Sequence, residues 1–138
     1  MQSFHLAIPV HDLEAAEAFY TEYFNCSIGR RCDRWIDFDF FGHQLTVHLD
    51  ESVSVAVNTN QVDGKSVPTH HFGVVLEWEQ WHALTDRLKA LSCTFIIEPY
   101  VRFAGQAGEQ ATMFFTDPSG NALEFKSFKQ VSELFAAG

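Results

Sequence analysis

Glu124 stands just behind the turn Asp117-Pro118-Ser119-Gly120, inside the stretch Thr116 to Phe125. Proline sets φ near about −65° and glycine accepts the positive φ that closes a tight reversal. The strand beginning behind it, Ala122-Leu123-Glu124-Phe125, puts Leu123 and Phe125 on one face and Ala122 with Glu124 on the other. A carboxylate held on a rigid strand, away from the aliphatic residues, is either solvated or functional. Two histidines, His5 and His71, open two other strand-like runs. Imidazoles and carboxylates exchange protons and carry the lone pairs that hold cations, so these three side chains are where chemistry is sought first.

The elements that must carry them follow from periodicity. Phe4 to Val10 reads as a strand with Phe4, Leu6 and Ile8 on one side and His5 and Ala7 on the other. Asp12 serves as N-cap of a helix running to about Phe24, whose apolar face is Leu13, Ala16, Tyr20 and Tyr23. Gly29 is placed in the loop that follows. Arg34 to Phe41 alternates Trp35, Asp37 and Asp39 against Ile36, Phe38 and Phe40. Gln44 to Leu49 sets Leu45, Val47 and Leu49 opposite Gln44, Thr46 and His48. Ser52 to Val57 adds a short strand, and the polar run Asn58 to Pro68 reads as a connection.

The second half restarts at His71-Phe72-Gly73-Val74-Val75-Leu76 as a strand. Glu77 to Ser92 follows as an amphipathic helix with Trp78, Trp81, Leu84, Leu88 and Leu91 on one face. Thr94 to Ile97 is a strand, Tyr100 to Gln110 a loop, Ala111 to Thr116 a strand, and Ala122 to Phe128 the last one. Gln130 to Phe135 is read as a short helix. The halves are therefore one supersecondary unit written twice, a strand, a helix and then further strands. Each has its own Asp-x-x-Gly turn before the late strand, Asp39 to Gly42 and Asp117 to Gly120. The reading is α+β: one domain over 1–138 made of two βαβββ modules, 1–57 and 69–128, whose curved mixed sheets surround a shared cavity.

This pattern resembles the vicinal oxygen chelate superfamily, which contains glyoxalase I, extradiol ring-cleaving dioxygenases, fosfomycin-resistance thiol transferases and bleomycin-binding proteins. The matching stretches are HLAIPVHDLEAAEAFYTEYF from His5, HFGVVL from His71 and FTDPSGNALEF from Phe115. In metal-dependent members, a histidine opening each module and a glutamate after the second turn bind one divalent ion. The resemblance carries those roles onto His5, His71 and Glu124. Glyoxalase I takes a fourth ligand from the late strand of its first module. Counting from the turn glycines puts Thr46 there, a poor ligand, with Gln44 and His48 on the same face as substitutes.

Two imidazoles and one carboxylate leave about three coordination positions open, the arrangement typical of non-haem Fe(II) oxygenases. The leading expectation is an Fe(II) extradiol-type dioxygenase acting on a small aromatic or vicinal-oxygen substrate. A glyoxalase-type lyase or isomerase with Mn, Ni or Zn acting as a Lewis acid is the runner-up. A metal-free protein that sequesters a drug is a third class, disfavoured because it has no reason to place His, His and Glu at three matching positions. Catalytic proton transfer falls to His48, on Glu124's expected side of the cavity, with Tyr100 as second candidate. Trp35, Asp37 and Asp39 border the pocket, and Arg102 with Phe103 form a lid hinged at Gly105 and Gly108. His70 is expected to be structural, and His11, His43 and His82 to be solvated.

Composition limits the partners. A net charge of −9, with no basic stripe, argues against nucleic acid and anionic membranes. Cys26, Cys32 and Cys93 are odd in number and lack CxxC spacing, as expected of reduced thiols in the cytoplasm. No leader segment or membrane span is legible. Exposed edge strands give a physical motive for a homodimer, which is common in the family.

Overall fold

The computed structural model describes residues 2–53, 59–62 and 65–137. They divide into two compact units: 1–57 together with Asp117–Asn121, and 58–116 together with 122–138. The strand expected over Ser52 to Val57 lies mostly outside the described residues, although Glu51 and Ser52 form a turn.

The first unit is built on β1 (His5–Val10), α1 (Leu13–Phe24), β2 (Ser27–Arg31), β3 (Trp35–Phe40) and β4 (His43–Leu49). Its sheet has the order β1-β4-β3-β2, with β1 parallel to β4 and the other neighbours antiparallel. Alternation holds on β3, where Ile36, Phe38 and Phe40 are buried and Trp35, Asp37 and Asp39 are not. Those rings join Val10, Leu45 and Val47 and the Ala16, Phe19 and Tyr20 face of α1 to make the core. Asp12 caps α1 by accepting from the Ala15 amide at 3.1 Å, a contact worth about 1 kcal/mol. Asn25 ends the helix in the left-handed region at φ 58°. Gly29 lies within β2 rather than in a loop, its Cα side facing Asp37. Short polar strands such as Ser27–Arg31 give almost no periodic signal.

Asp117–Asn121 is tied into this unit by one buried carboxylate. Asp117 accepts from the Tyr20 hydroxyl, the Ser119 and Asn121 amides and the Asn121 side chain, each at 2.9 Å. Burial pushes its carboxyl above the usual range, while the bonds from Asn121, Tyr20 and the two amides pull the other way. Burial, then the Asp117 charge, drives the Tyr20 phenol well above its ordinary value, so it stays a donor. His11 is exposed, as expected, and also meets the Ser119 hydroxyl at 2.7 Å through its ring and at 2.9 Å through its amide. His43 begins β4 rather than sitting in a turn, and its Nδ1 accepts from the Phe4 amide at 2.8 Å.

The second unit contains β5 (Thr59–Val62), β6 (Lys65–Pro68), α2 (Trp78–Ala90), β7 (Phe95–Arg102), β8 (Gln110–Thr116), β9 (Ala122–Phe128) and a short 3-10 turn at Val131–Glu133. Within the run Asn58 to Pro68, read as a plain connection, β5 and β6 pair antiparallel, Thr59 opposite Pro68 and Val62 opposite Lys65. Strand β7 continues through Pro99 to Arg102, so Tyr100 is a strand residue and not a loop residue. The register with β8 shifts between Ile97 and Tyr100, which is how an antiparallel pair tolerates the proline. Segment 71–76 runs parallel to β9 and pairs with it at Phe72–Leu123 and Val75–Lys126. Trp81, Leu84 and Leu88 of α2 are buried with Met113, Phe115, Leu123 and Phe125, and the Trp81 indole donates to the Phe125 carbonyl at 2.8 Å. No helix among the described residues is long and apolar enough to cross a membrane.

Two expectations follow. Tyr20→Phe removes one of four donors to a buried carboxylate and is expected to lower stability by about 2 kcal/mol, read as a shift in the urea midpoint. Burial, followed by nearby Asp39 and Glu98 charge, pushes the Cys26 and Cys93 thiols up to about 12 and about 11. Iodoacetamide at pH 8 is therefore expected to label exposed Cys32 in the native protein and the other two only after denaturation.

Candidate metal-binding pair

In the second unit, alternation along β9 buries Leu123, Phe125 and Ser127 and leaves Glu124, Lys126 and Phe128 on the other face. The antiparallel register sets Glu124 opposite Phe114 and Lys126 opposite Thr112. Segment 71–76 runs along the free side of β9. Glu124 N–H donates to the Phe72 carbonyl at 2.8 Å, Lys126 N–H to Val74 at 3.2 Å, and Leu76 N–H to Lys126 at 2.8 Å. This ladder delivers His71 to the carboxylate: His71 Nε2 lies 3.2 Å from Glu124 Oε1.

Both side chains are fixed from behind. His71 Nδ1 lies 2.8 Å from the Pro68 carbonyl, which can only accept, so that nitrogen carries hydrogen and Nε2 is the atom turned to Glu124. The Thr112 hydroxyl donates to Glu124 Oε2 at 2.6 Å, leaving Oε1 for His71. Phe114 meets the imidazole edge-on at 5.1 Å. The side chains of His71 and Glu124 are 31% and 15% exposed, so they are open to a ligand without being freely solvated. Two electron-rich atoms facing each other need a proton or a cation between them. Metal-ligating imidazoles characteristically donate their other ring N–H to a carbonyl or carboxylate, as His71 does. Ligand bonds of about 2.1 Å at roughly a right angle hold two donors about 3 Å apart, close to the distance seen. The pair fits a divalent ion.

Gly73 makes the arrangement possible. A Cβ there would lie 1.6 Å from the Glu124 carbonyl oxygen and 2.7 Å from its carbon, so only glycine lets the segment lie against β9 at this point. Thr112, Gly73 and the Pro68 carbonyl were missed in the sequence. Gly73 in His-Phe-Gly-Val-Val carried a signal, as a glycine interrupting a strand pattern where backbones approach closely.

The other expected residues are placed as follows. His5 is exposed on β1 beside Gln44 in the first unit. On the same face Asp37 Oδ1 accepts from the Thr46 hydroxyl at 2.6 Å, and its Oδ2 from the Gln44 amide at 3.3 Å. The position counted as a fourth-ligand site is thus a threonine holding a carboxylate from the neighbouring strand. His48 is exposed between Pro9 and Trp35 and lines a cleft of about 750 Å³ with Arg34, Leu49 and Asp50. Tyr100, in the second unit, sits opposite Thr112 with the Lys65 ammonium 4.9 Å above its ring. Within either unit, no three His, Cys, Asp or Glu side chains among the described residues are grouped to hold a metal. Phe103 takes a positive φ of 55° in the turn after β7, and the Arg102 guanidinium lies 5.0 Å from its ring.

The family model for the glyoxalase/bleomycin resistance protein/dioxygenase superfamily matches residues 2–125, and the chain belongs to that superfamily. A glyoxalase/bleomycin resistance protein/dioxygenase from Alicyclobacillus acidocaldarius is 32% identical with a TM-score of 0.81, over 97% of this chain and 96% of that one. A lactoylglutathione lyase from Agrobacterium tumefaciens shares the fold at 20% identity and a TM-score of 0.68, covering 99% and 97%. So does a genomically encoded fosfomycin resistance protein from Listeria monocytogenes, at 19% and 0.67, covering 96% and 95%. No significant match was found among curated proteins.

Gly73→Ala forces the segment off β9 and is expected to weaken binding of Mn(II) or Zn(II) by at least about tenfold, read by titration calorimetry on folded protein. A purely structural role would lower the melting temperature and leave the affinity per folded molecule unchanged.

Proposed function

We propose that the protein is a divalent-metal enzyme acting on a small molecule through two adjacent oxygens, and that its chemistry is that of an Fe(II) extradiol-type dioxygenase. The observation that carries this reading is the His71–Glu124 pair, with each member anchored from behind and one atom of each turned to the other. His5 completes the set as third ligand. His5, His71 and Glu124 would hold the ion, which would supply Lewis acidity toward the two substrate oxygens and a site for O₂ activation. The chain's own residues do the rest. Thr112 holds Glu124 in one rotamer, and Pro68 holds His71 in one tautomer. His48 and Tyr100 are the proposed proton acceptor and donor. The substrate is a small molecule, the setting is the cytoplasm, and the working form is a homodimer in this reading. The free thiols Cys26, Cys32 and Cys93 agree with a reducing setting.

One observation favours a second reading. Asp37, held by Thr46 and Gln44 on the His5 face, brings a carboxylate to the place where a glyoxalase-type enzyme has its fourth ligand. A lyase or isomerase would use it as a further ligand to Ni, Zn or Mn, and the ion would stabilise an enolate.

Elemental analysis of protein purified without chelators is expected to find one metal per chain, and Glu124→Ala to lose it while remaining folded. Anaerobic Fe(II) loading followed by oxygen uptake over a panel of catechols tests the chemistry. Oxygen consumption stoichiometric with a diol supports the dioxygenase. Isomerisation of a hemithioacetal without oxygen uptake selects the lyase. A protein that takes up no metal is a binding module, and both readings end there.

A further inference from the structure

Two residues beyond Glu124, β9 places a second charged side chain on the same face. Lys126 lines one cleft of about 220 Å³ with His71, Gly73, Val74, Val75 and Glu124. Its backbone is held by two bonds to segment 71–76, its N–H to the Val74 carbonyl and its carbonyl to the Leu76 amide, and it pairs with Thr112 of β8 on the other side. Among the described residues no carboxylate forms an ion pair with its ammonium, which lies 5.9 Å from the Phe128 ring. Across the sheet the same row continues through Thr112 to Tyr100, where Lys65 supplies a second ammonium.

The cleft therefore has two chemically different ends. One offers the imidazole and carboxylate, the other an ammonium, and Val74 and Val75 form an apolar wall beside them. Residues two apart on a strand are about 7 Å apart, the span of one substituted ring. A ligand whose adjacent oxygens lie at the His71–Glu124 end would carry a substituent to Lys126. An apolar or neutral substituent would strip water from an ammonium without replacing it, whereas a carboxylate forms a charge-assisted hydrogen bond.

We propose that Lys126 is a specificity-determining residue that selects substrates bearing a carboxylate on the ring that carries the two adjacent oxygens. This rests on the metal-enzyme reading above and narrows its substrate to dihydroxylated aromatic acids. The role belongs to Lys126 in binding; it takes no part in holding the ion.

Calorimetric titration of the Zn(II)-loaded protein with catechol and with 3,4-dihydroxybenzoate tests it without turnover. The wild-type protein is expected to bind the acid about tenfold more tightly than catechol, a preference that shrinks as salt is raised. In Lys126→Gln the preference is expected to fall below about twofold, with metal content unchanged, and Lys126→Arg is expected to keep most of it. Equal binding of the two ligands to the wild type overturns the role of Lys126 and leaves the enzyme reading standing. So does a preference that survives in Lys126→Gln. Binding of neither ligand to fully loaded protein defeats the diol-binding reading itself, and the proposed role of Lys126 with it.

Discussion

The pairing of segment 71–76 with β9 is the constraint on which the candidate site depends. It is a parallel contact of only two bridges, made by backbone groups and closed by a glycine where any side chain would collide with Glu124. Parallel pairing leaves no tight turn between the partners, so the chain must travel through α2, β7 and β8 before β9 returns alongside. That long route is what lets a histidine at one end of the unit meet a glutamate at the other. The site is therefore a product of topology first and of side-chain chemistry second. His71 could not reach Glu124 from a neighbouring position in the sequence.

The two units handle their turns alike and their carboxylates differently. Asp39 accepts from the Gly42 amide at 2.8 Å, and Asp117 accepts from the amides that follow it; in both turns the closing glycine has φ near 85°. Each sheet then presents a carboxylate bonded to a threonine hydroxyl on its polar face, but the strands are exchanged. Asp37 on β3 meets Thr46 on β4, whereas Glu124 on the last strand, β9, meets Thr112 on β8. The exchange has a chemical consequence. Both oxygens of Asp37 accept from neutral donors, while Glu124 keeps Oε1 for an imidazole. Repetition of a scaffold is thus not repetition of a site.

Much of the architecture was legible because alternation is a strong signal wherever one face of a strand is buried. Trp35 to Phe40 and Ala122 to Phe128 both sort by side as their sequences imply. The failures have local causes. The polar strands β2, β5 and β6 lack an apolar face to announce them, and Pro99 made β7 look finished before a bulge carried it to Arg102. The exposure of His11 was legible, but its bond to Ser119 was not, because that partner lies more than a hundred residues away. Among site residues, the type and face of Glu124 are visible in sequence, and the approach of His71 follows only from the family resemblance. The supports, Thr112 and the Pro68 carbonyl, depend on register across strands, which a single sequence does not give.

What keeps such a polar face affordable is the other side of the same sheet. Beneath Glu124 and Lys126, strand β9 contributes Leu123 and Phe125 to a core where Phe115 and Phe125 stack with their rings 8° from parallel and Trp81 bonds the Phe125 carbonyl. Burial of a large side chain contributes about 1.5–3 kcal/mol, comparable to one hydrogen bond to a charged group, and several such side chains lie behind the polar face. Stability is therefore set mainly by residues that never meet a ligand, and the polar face is free to be shaped by recognition. The orphaned Ser127 hydroxyl, fully buried on the apolar side without a described partner, shows how little polarity that core holds. A carboxylate such as Glu124, half of whose bonding is left for another group, persists because the aromatic layer behind it does not depend on its being satisfied.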